Sequence, residues 1–441
     1  MRLKAFHAAD GDCLLLTSAD GHHALVDGGR ARTFDEQAWP VLRAMAAAGE
    51  RIDLLVVSHI DADHITGVLR LLQAVAAWAV HDYQTTAGGN PTAPEPAIDR
   101  PPAIGTVWHN SWRAQVADLA GPIEALVGQA SDALATSGFD AATAPSRLVR
   151  VVDALDGLAQ SIPQGVELLR LVDDDTPIPR NEPFDDLVLL QAPPHVQRLG
   201  RARLTVIGPS VEHLEALRDE WRSWLGTLGV AGGPGSRTGP GTGAGNGAVD
   251  IEQARAAAGA EGDRFMASLE AATEVIASTD PSKVTPPNRA SITLLADESG
   301  RTCLLTGDAA EHELLDGLKA AGRIVDGRFH CNVLKVQHHG SEHNVSTRFA
   351  GTVLADDYVF CGDGAHHNPD PSVVKTIVEA RRQADPAPFT LWFNCSPARA
   401  SADRRAALRT AIGEATAAAA AHPQVSVNVL DDAAPFLDIP V

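Results

Sequence analysis

Four side chains able to hold a metal ion fall within six residues at His59-Ile60-Asp61-Ala62-Asp63-His64. They follow Ile52-Asp53-Leu54-Leu55-Val56-Val57, an almost continuous apolar run of the kind that forms a strand buried on both faces. In an extended segment, residues two apart share a face, so the loop leaving that strand can gather several of these side chains around one point. Imidazole suits zinc, iron and manganese, while carboxylates suit harder ions and can bridge two of them. The same residues carry a second reading, in which Asp61 or Asp63 caps the following helix and no metal is involved.

Three later segments repeat the theme of a strand ending in ligand-type residues. Leu304-Leu305-Thr306-Gly307-Asp308 ends in a carboxylate just before a helix, and taken alone it reads best as a helix cap. Val333-Leu334-Lys335-Val336-Gln337-His338-His339-Gly340-Ser341 ends in two histidines and a glycine turn. Gly362-Asp363-Gly364-Ala365-His366-His367-Asn368-Pro369 follows a strand that ends at Cys361. Each is weak alone, but accident explains poorly why all four strand ends finish this way.

The elements that must position these groups alternate at both ends of the chain. Short strand runs are expected at Arg2 to Phe6, Cys13 to Thr17 and Ala24 to Val26, then a helix near Gln37 to Gly49, the Ile52 to Val57 strand and a helix from Ile65 to Val80. Alternation resumes with a hairpin at Ser291 to Ala296 and Thr302 to Thr306, and a helix at Ala309 to Ala321. Strands follow at Asn332 to Val336, Asp357 to Cys361 and Phe389 to Phe393, with helices at Ser372 to Gln383 and Ala402 to Ala421. This is an α+β pattern of two sheets covered by helices. Three regions are expected: core residues 1–83, an insertion or cap at 84–284, and core residues 285–441. The middle region contains a Gly-rich flexible loop at 229–247 and one core strand at 203–209.

Bulk composition narrows the options. The 441 residues are 44% hydrophobic and 21% charged, a globular profile. No run is long and apolar enough to span a bilayer, and the N-terminus reads straight into a strand without a signal-peptide pattern, which suggests a cytoplasmic protein. The five scattered cysteines fit reduced core positions better than a Cys-rich zinc site. A formal net charge of −20 disfavours a dedicated surface for duplex nucleic acid.

In order, the four motifs resemble the metallo-β-lactamase superfamily, most closely the nuclease-like domain of ComEC-type competence proteins and their soluble relatives. Asn288-Arg289-Ala290-Ser291-Ile292-Thr293-Leu294 is also similar to that group's Asn-x-x-Ser strand. The resemblance covers roughly residues 1–82 and 285–441, and it implies a four-layer αββα sandwich holding two divalent metal ions. It implies His59 and Asp61 on one metal, Asp63 and His64 on the other, Asp308 as the bridging carboxylate and His338 as the later ligand of the second metal. Asp61 stands where most of the superfamily has histidine, and the superfamily's intermediate histidine has no clear counterpart. That leaves the first metal short of a ligand, with Asn288 a candidate. Zinc is the superfamily default, and the carboxylate at Asp61 favours a harder ion such as manganese.

The expected activity is hydrolysis by a metal-activated water, on a phosphodiester in nucleic acid or a nucleotide. Asp63 is expected as ligand and orienter of that water, with His339 and His367 contacting substrate or the leaving group. Trp108, Trp112, Trp221 and Trp224 are candidate stacking surfaces, though core packing is the stronger reading. Arg198, Arg201 and Arg203 read as a solvated basic edge. Two alternatives stay open: hydrolysis of an ester, thioester or lactam, and a component of a bacterial defence or regulatory assembly that works with a protein partner.

Overall fold

The computed structural model describes residues 1–124, 161–227 and 290–441. The Gly-rich loop expected at 229–247 and Asn288 lie outside them. The strands in chain order are β1 Arg2–Phe6, β2 Leu14–Thr17, β3 His23–Val26, β4 Ile52–Val57, β5 Ile104–His109, β6 Val196–Leu199 and β7 Ala202–Gly208. They continue with β8 Thr293–Glu298, β9 Arg301–Leu305, β10 Phe329–Lys335, β11 Val353–Phe360, β12 Phe389–Phe393, β13 Val425–Val429 and β14 Phe436–Pro440. The longer helices are α1 Trp39–Ala47, α2 Ala62–Thr86, α3 Val211–Thr227, α4 Glu311–Ala320, α5 Pro371–Ala384 and α6 Arg405–Ala421.

Two sheets result, a six-stranded one ordered β14-β1-β2-β3-β4-β5 and an eight-stranded one ordered β13-β12-β11-β10-β9-β8-β7-β6. They share a construction. In the first, β1, β2 and β3 run antiparallel and then β3, β4 and β5 run parallel. In the second, β6 through β9 run antiparallel and then β9 through β13 run parallel. The ligand-type residues follow the C-terminal ends of strands in the parallel halves, after β4, β9 and β10. In open α/β sheets this is where clefts form.

The period-two alternation of the strands sorts their side chains. Leu14, Leu16, Leu54 and Val56 of the first sheet share one core with Leu204, Val206, Leu294, Leu305 and Val333 of the second, so the two sheets pack face to face. The opposite face of the first sheet, with Leu15, Leu25, Leu55 and Val57, is covered by Leu42 and Met45 of α1 and Val68 and Leu72 of α2. Leu295, Leu304, Leu334 and Tyr358 of the second sheet meet Leu314 and Leu318 of α4, Val374 and Ile377 of α5 and Ala411 of α6.

Several expectations need revision. Residues 84–284 supply more than the one core strand expected at 203–209, which is β7: they also give β5 to the first sheet and β6 to the second. β5 was invisible as a pattern because Ile104-Gly105-Thr106-Val107-Trp108-His109 lacks clean alternation and follows a Pro-rich stretch. Its Gly105 is required, since a Cβ there would lie 2.4 Å from the Asp53 carbonyl of β4. β14 was also missed; it closes the chain by pairing antiparallel with β1, Arg2 opposite Pro440. The tryptophans follow the stronger of their two readings, as core residues: Trp108, Trp112 and Trp221 are 0%, 1% and 5% exposed, and Trp112 packs edge-on against Trp221. The side chain of Trp224 lies outside the described set. Arg198, Arg201 and Arg203 are exposed around the β6–β7 hairpin. All five cysteines are buried and free. Among the described residues, no helix is long and apolar enough to cross a membrane.

Candidate metal centre

The site begins where β4 ends. Asp61 occupies the N-cap position of α2, and its carbonyl accepts from the His64 and Ile65 amides, but its side chain makes no capping bond. The carboxylate turns instead toward His59 Nε2, at 3.7 Å, and accepts from Ser161 Oγ at 3.3 Å. Of the two readings of this motif, pure helix capping therefore fails for Asp61. It fails for Asp308 as well, because Ala310 holds the N-cap position of α4 and the Asp308 carboxylate points at histidines.

Asp308 is the hub. Its Oδ2 lies 3.8 Å from His59 Nε2, 3.4 Å from His64 Nε2, 3.9 Å from His338 Nε2 and 3.3 Å from His339 Nε2. The last two histidines reach it because the chain after β10 takes three consecutive left-handed residues, His338 (φ 47°), His339 (φ 55°) and Gly340 (φ 84°). For histidine this conformation is costly, and strain of this kind concentrates at functional sites.

Each of the four imidazoles is held by its other nitrogen. His64 Nδ1 donates to Asp27 Oδ2 at 2.9 Å, and His339 Nδ1 donates to the Cys361 carbonyl at 2.9 Å. His338 Nδ1 donates at 2.9 Å to Asn344 Oδ1, whose amide nitrogen is committed to the Ala309 carbonyl. His59 Nδ1 lies 3.0 Å from Ser58 Oγ, which itself donates to Asp27 Oδ2 and so accepts from the imidazole. Fixing Nδ1 as donor fixes the tautomer and aims the Nε2 lone pair into the cluster, as second-sphere partners of metal ligands do.

The donor set fits a divalent cation. His59 Nε2 is buried without a hydrogen-bond partner. His64 Nε2 and His339 Nε2 face each other at 3.3 Å, an arrangement in which two lone pairs repel unless a cation lies between them. Asp63 Oδ2 is 3.3 Å from His339 Nε2 and 3.7 Å from His64 Nε2. Ligands at roughly 2.0–2.2 Å from one tetrahedral ion stand about 3.3–3.6 Å apart; the separations among His64, Asp308 and His339 and that of Asp63 from His339, 3.3–3.4 Å, fall in this range, and Asp63–His64 at 3.7 Å lies just outside it.

The protonation equilibria carry the same imprint. Burial alone would raise the pKa of Asp308, but His339, His64, His338 and Lys335 hold it well below the usual range. Burial also opposes the charge on His64 and His339, yet Asp308 and neighbouring carboxylates push both well above the ordinary histidine value. Burial, reinforced by His64, depresses His59 to about 3, while burial and Asp63 raise Asp61 to about 7. Groups driven this far in opposite directions within one cluster mark a candidate functional site.

Six of the residues singled out in the sequence as ligands therefore meet here: His59, Asp61, Asp63, His64, Asp308 and His338. His339, expected to face substrate, is more central than that, since its Nε2 touches Asp63, His64 and Asp308. His367 does not join the cluster: it is exposed, and no hydrogen bond or ion pair links it to the other residues. Asp27, Ser58, Asn344, Asp12 and Lys335 were missed. The only sequence signal for Asp27 was its place in Asp27-Gly28-Gly29, at the end of β3, where a turn explained it equally well.

Asp27 tests the supporting layer. It is fully buried and accepts from Ser58 N at 2.7 Å, Ser58 Oγ at 2.6 Å and His64 Nδ1. Asp27→Asn keeps the shape but removes the charge that orients His64. The expected result is a loss of about 10–100-fold in metal affinity, measured by chelator competition, with near-normal folding. Unchanged affinity would mean that Asp27 merely fills space.

Residues 9–136 match the family model of the metallo-beta-lactamase superfamily. That span is under a third of the chain; it includes the His59 to His64 motif and stops short of Asp308, His338 and His339. No curated protein matches the chain. The matched superfamily implies a metal-dependent hydrolase, and Asp12, His64, Asp308 and His339, with ligand atoms all within 4.8 Å of one another, form a candidate site for its metal.

Proposed function

We propose that this protein is a two-metal hydrolase of phosphodiesters, built on the four-layer αββα sandwich of that superfamily and related to its ComEC-like group. The observation that carries the reading is Asp308 Oδ2 at the meeting point of four imidazole Nε2 atoms. Asp63, His64, Asp308 and His339 would hold one ion. His59, Asp61 and Asp308 would hold the other, with His338 taking the position for which Asn288 was the sequence candidate. Zinc is the default occupant, and three carboxylates among the ligands leave room for manganese. A pair of such ions supplies an activated water near neutral pH and stabilises charge on the scissile group.

The protein's own contribution is rigidity on one side and access on the other. His59 and His64 are fully buried, whereas the side chains of Asp61, His338 and Asp63 are 26%, 21% and 19% exposed. Substrate would therefore approach over Asp61, Asp63 and His338.

Two arginines favour an anionic substrate. Arg30 binds Asp10 through Nε and Nη2 at 2.8 and 3.0 Å, and Arg404 binds Asp363 at 2.9 Å and Asp10 at 3.5 Å. Asp10 precedes Gly11, where a Cβ would lie 1.6 Å from the Asp63 carbonyl, so the loop carrying Asp10 rests on a ligand residue. Burial works against the Arg30 charge, but Asp10 and, beyond it, Asp63 and Asp61 raise its pKa. Both guanidiniums remain about one-third exposed, at 39% and 33%. Held this way, they can present their remaining N–H groups to a phosphate.

The test is a side-by-side assay of the metal-loaded protein on bis-p-nitrophenyl phosphate, single- and double-stranded DNA, RNA, a p-nitrophenyl ester, a thioester and nitrocefin. Phosphodiester cleavage lost on chelation supports the reading. Cleavage confined to ester, thioester or lactam replaces it, and activity arising only with an added protein partner moves it toward a regulated assembly. Arg30→Lys keeps the charge but loses the fork. It should raise KM for the phosphodiester about tenfold or more, leaving metal content intact.

A further inference from the structure

Lys335 ends β10 with its side chain fully buried. It lies beside the strand that delivers Asp308, because β10 and β9 pair in parallel with Val333 opposite Cys303 and Leu334 opposite Leu304. Its ammonium stands 2.5 Å from Asp12 Oδ2, 2.9 Å from the Gly307 carbonyl and 3.4 Å from Asp308 Oδ1. A buried ammonium is costly unless paired, and an apolar side chain of similar volume would usually serve packing as well. The lysine therefore needs a reason.

The two oxygens of Asp308 face different groups. Oδ1 faces the ammonium, and Oδ2 faces the four histidines. Lys335 also grips the carbonyl of Gly307, a left-handed residue (φ 50°) that sets the direction in which Asp308 leaves the strand. Behind this contact Asp12, 1% exposed, reaches His339 Nδ1 at 3.4 Å. Asp12 has a carboxylate oxygen within 4.8 Å of donor atoms of His64, Asp308 and His339. Its nearest approach to His339 is nevertheless at Nδ1, and its Oδ2 is paired with the ammonium.

We propose that Lys335 is a positioning residue for the metal bridge: it occupies Asp308 Oδ1 and the Gly307 carbonyl, so that Asp308 presents Oδ2 alone to the ions, and Asp12 is its counter-charge. The proposal rests on the two-metal reading above and says how the chain enforces it.

Cobalt(II) serves as the probe, with bound equivalents and affinity from chelator competition and coordination from the visible spectrum. Lys335→Met alone leaves Asp12 buried and unpaired, so the informative variant is Lys335→Met with Asp12→Asn, which removes both charges. That double variant should fold, bind cobalt at least about tenfold more weakly, and show an altered spectrum because both oxygens of Asp308 become available. Wild-type affinity and spectrum in the double variant would overturn the proposal, since Lys335 would then serve only to neutralise Asp12. Asp12→Asn alone gives a second check: it should lose less cobalt affinity than the double variant, since Lys335 still holds Asp308. Loss as deep as that of the double variant would place the requirement on Asp12 and overturn the assignment. Wild-type protein that binds no cobalt overturns the metal reading itself, before any variant is compared.

Discussion

Asp308→Asn should abolish turnover and strip the protein of metal while leaving it folded. In the proposed two-ion site Asp308 lies at the meeting point of both ligand groups, so one substitution would act on both ions. The amide keeps the volume and offers one oxygen, but it removes the negative charge shared among His59, His64, His338 and His339. Metal-based stabilisation of a hydrolytic transition state is worth several kcal/mol, and each ~1.4 kcal/mol is tenfold in rate, so a fall of roughly 10³-fold or more is expected. Metal analysis should show less than half the wild-type content. A variant of a single terminal ligand, such as His59→Ala, should lose one ion and keep the other. If Asp308→Asn retains full metal and rate, the hub has been misread and the histidines act without it.

The contrast between hub and rim also explains what could be seen in advance. His59, Asp61, Asp63 and His64 were legible because one strand end carries all four, and local spacing is enough to propose a ligand set. Asp308 and the His338–His339 pair were legible only as strand ends of the right kind. What brings them to β4 is the face-to-face packing of two sheets, and that follows from side chains such as Leu54 and Leu305 in the shared core. The order of His338 and His339 was not readable at all. It depends on three successive left-handed residues, a conformation that the letters His-His-Gly permit without demanding.

The supporting residues escaped for a different reason. Asp12, Asp27 and Lys335 act through pairings 27 to over 300 positions apart in sequence, and no local pattern announces a buried ion pair between β10 and the loop before β2. The same holds for fold elements set by distant partners. β14 is five residues with one aromatic and two charged or proline positions, and it becomes a strand because β1 offers an unpaired edge. Strand propensity is weak against such context.

Gly67→Ala should destabilise the fold and empty the metal centre together, although helix propensity alone argues the opposite. Gly67 lies in the first two turns of α2, where replacing glycine by alanine ordinarily gains about 1 kcal/mol. Here the added Cβ would fall 2.1 Å from the Gly28 carbonyl oxygen and 2.8 Å from Phe34 Cδ2. Backbone stands on one side and a buried ring on the other, so no flexible side chain can swing away. Overpacking typically costs about 1–3 kcal/mol and more when backbone must move, which outweighs the propensity gain. The segments that would part are the ones that set the ligands: Gly28 N donates to the His64 carbonyl at 2.8 Å, Gly67 N donates to the Gly29 carbonyl at 3.0 Å, and Asp27 orients His64 beside them. Gly413 supplies the matched control, because it sits exposed in α6 with nothing within 4 Å of its would-be Cβ. Gly413→Ala should raise stability by about 0.4–1 kcal/mol and leave metal content unchanged. Thermal unfolding with metal analysis reads both variants, and the same substitution should carry opposite signs. Equal, small effects at the two positions would mean that α2 is not locked against the Asp27-Gly28-Gly29 turn, and the rigidity ascribed to His64 would have to come from elsewhere.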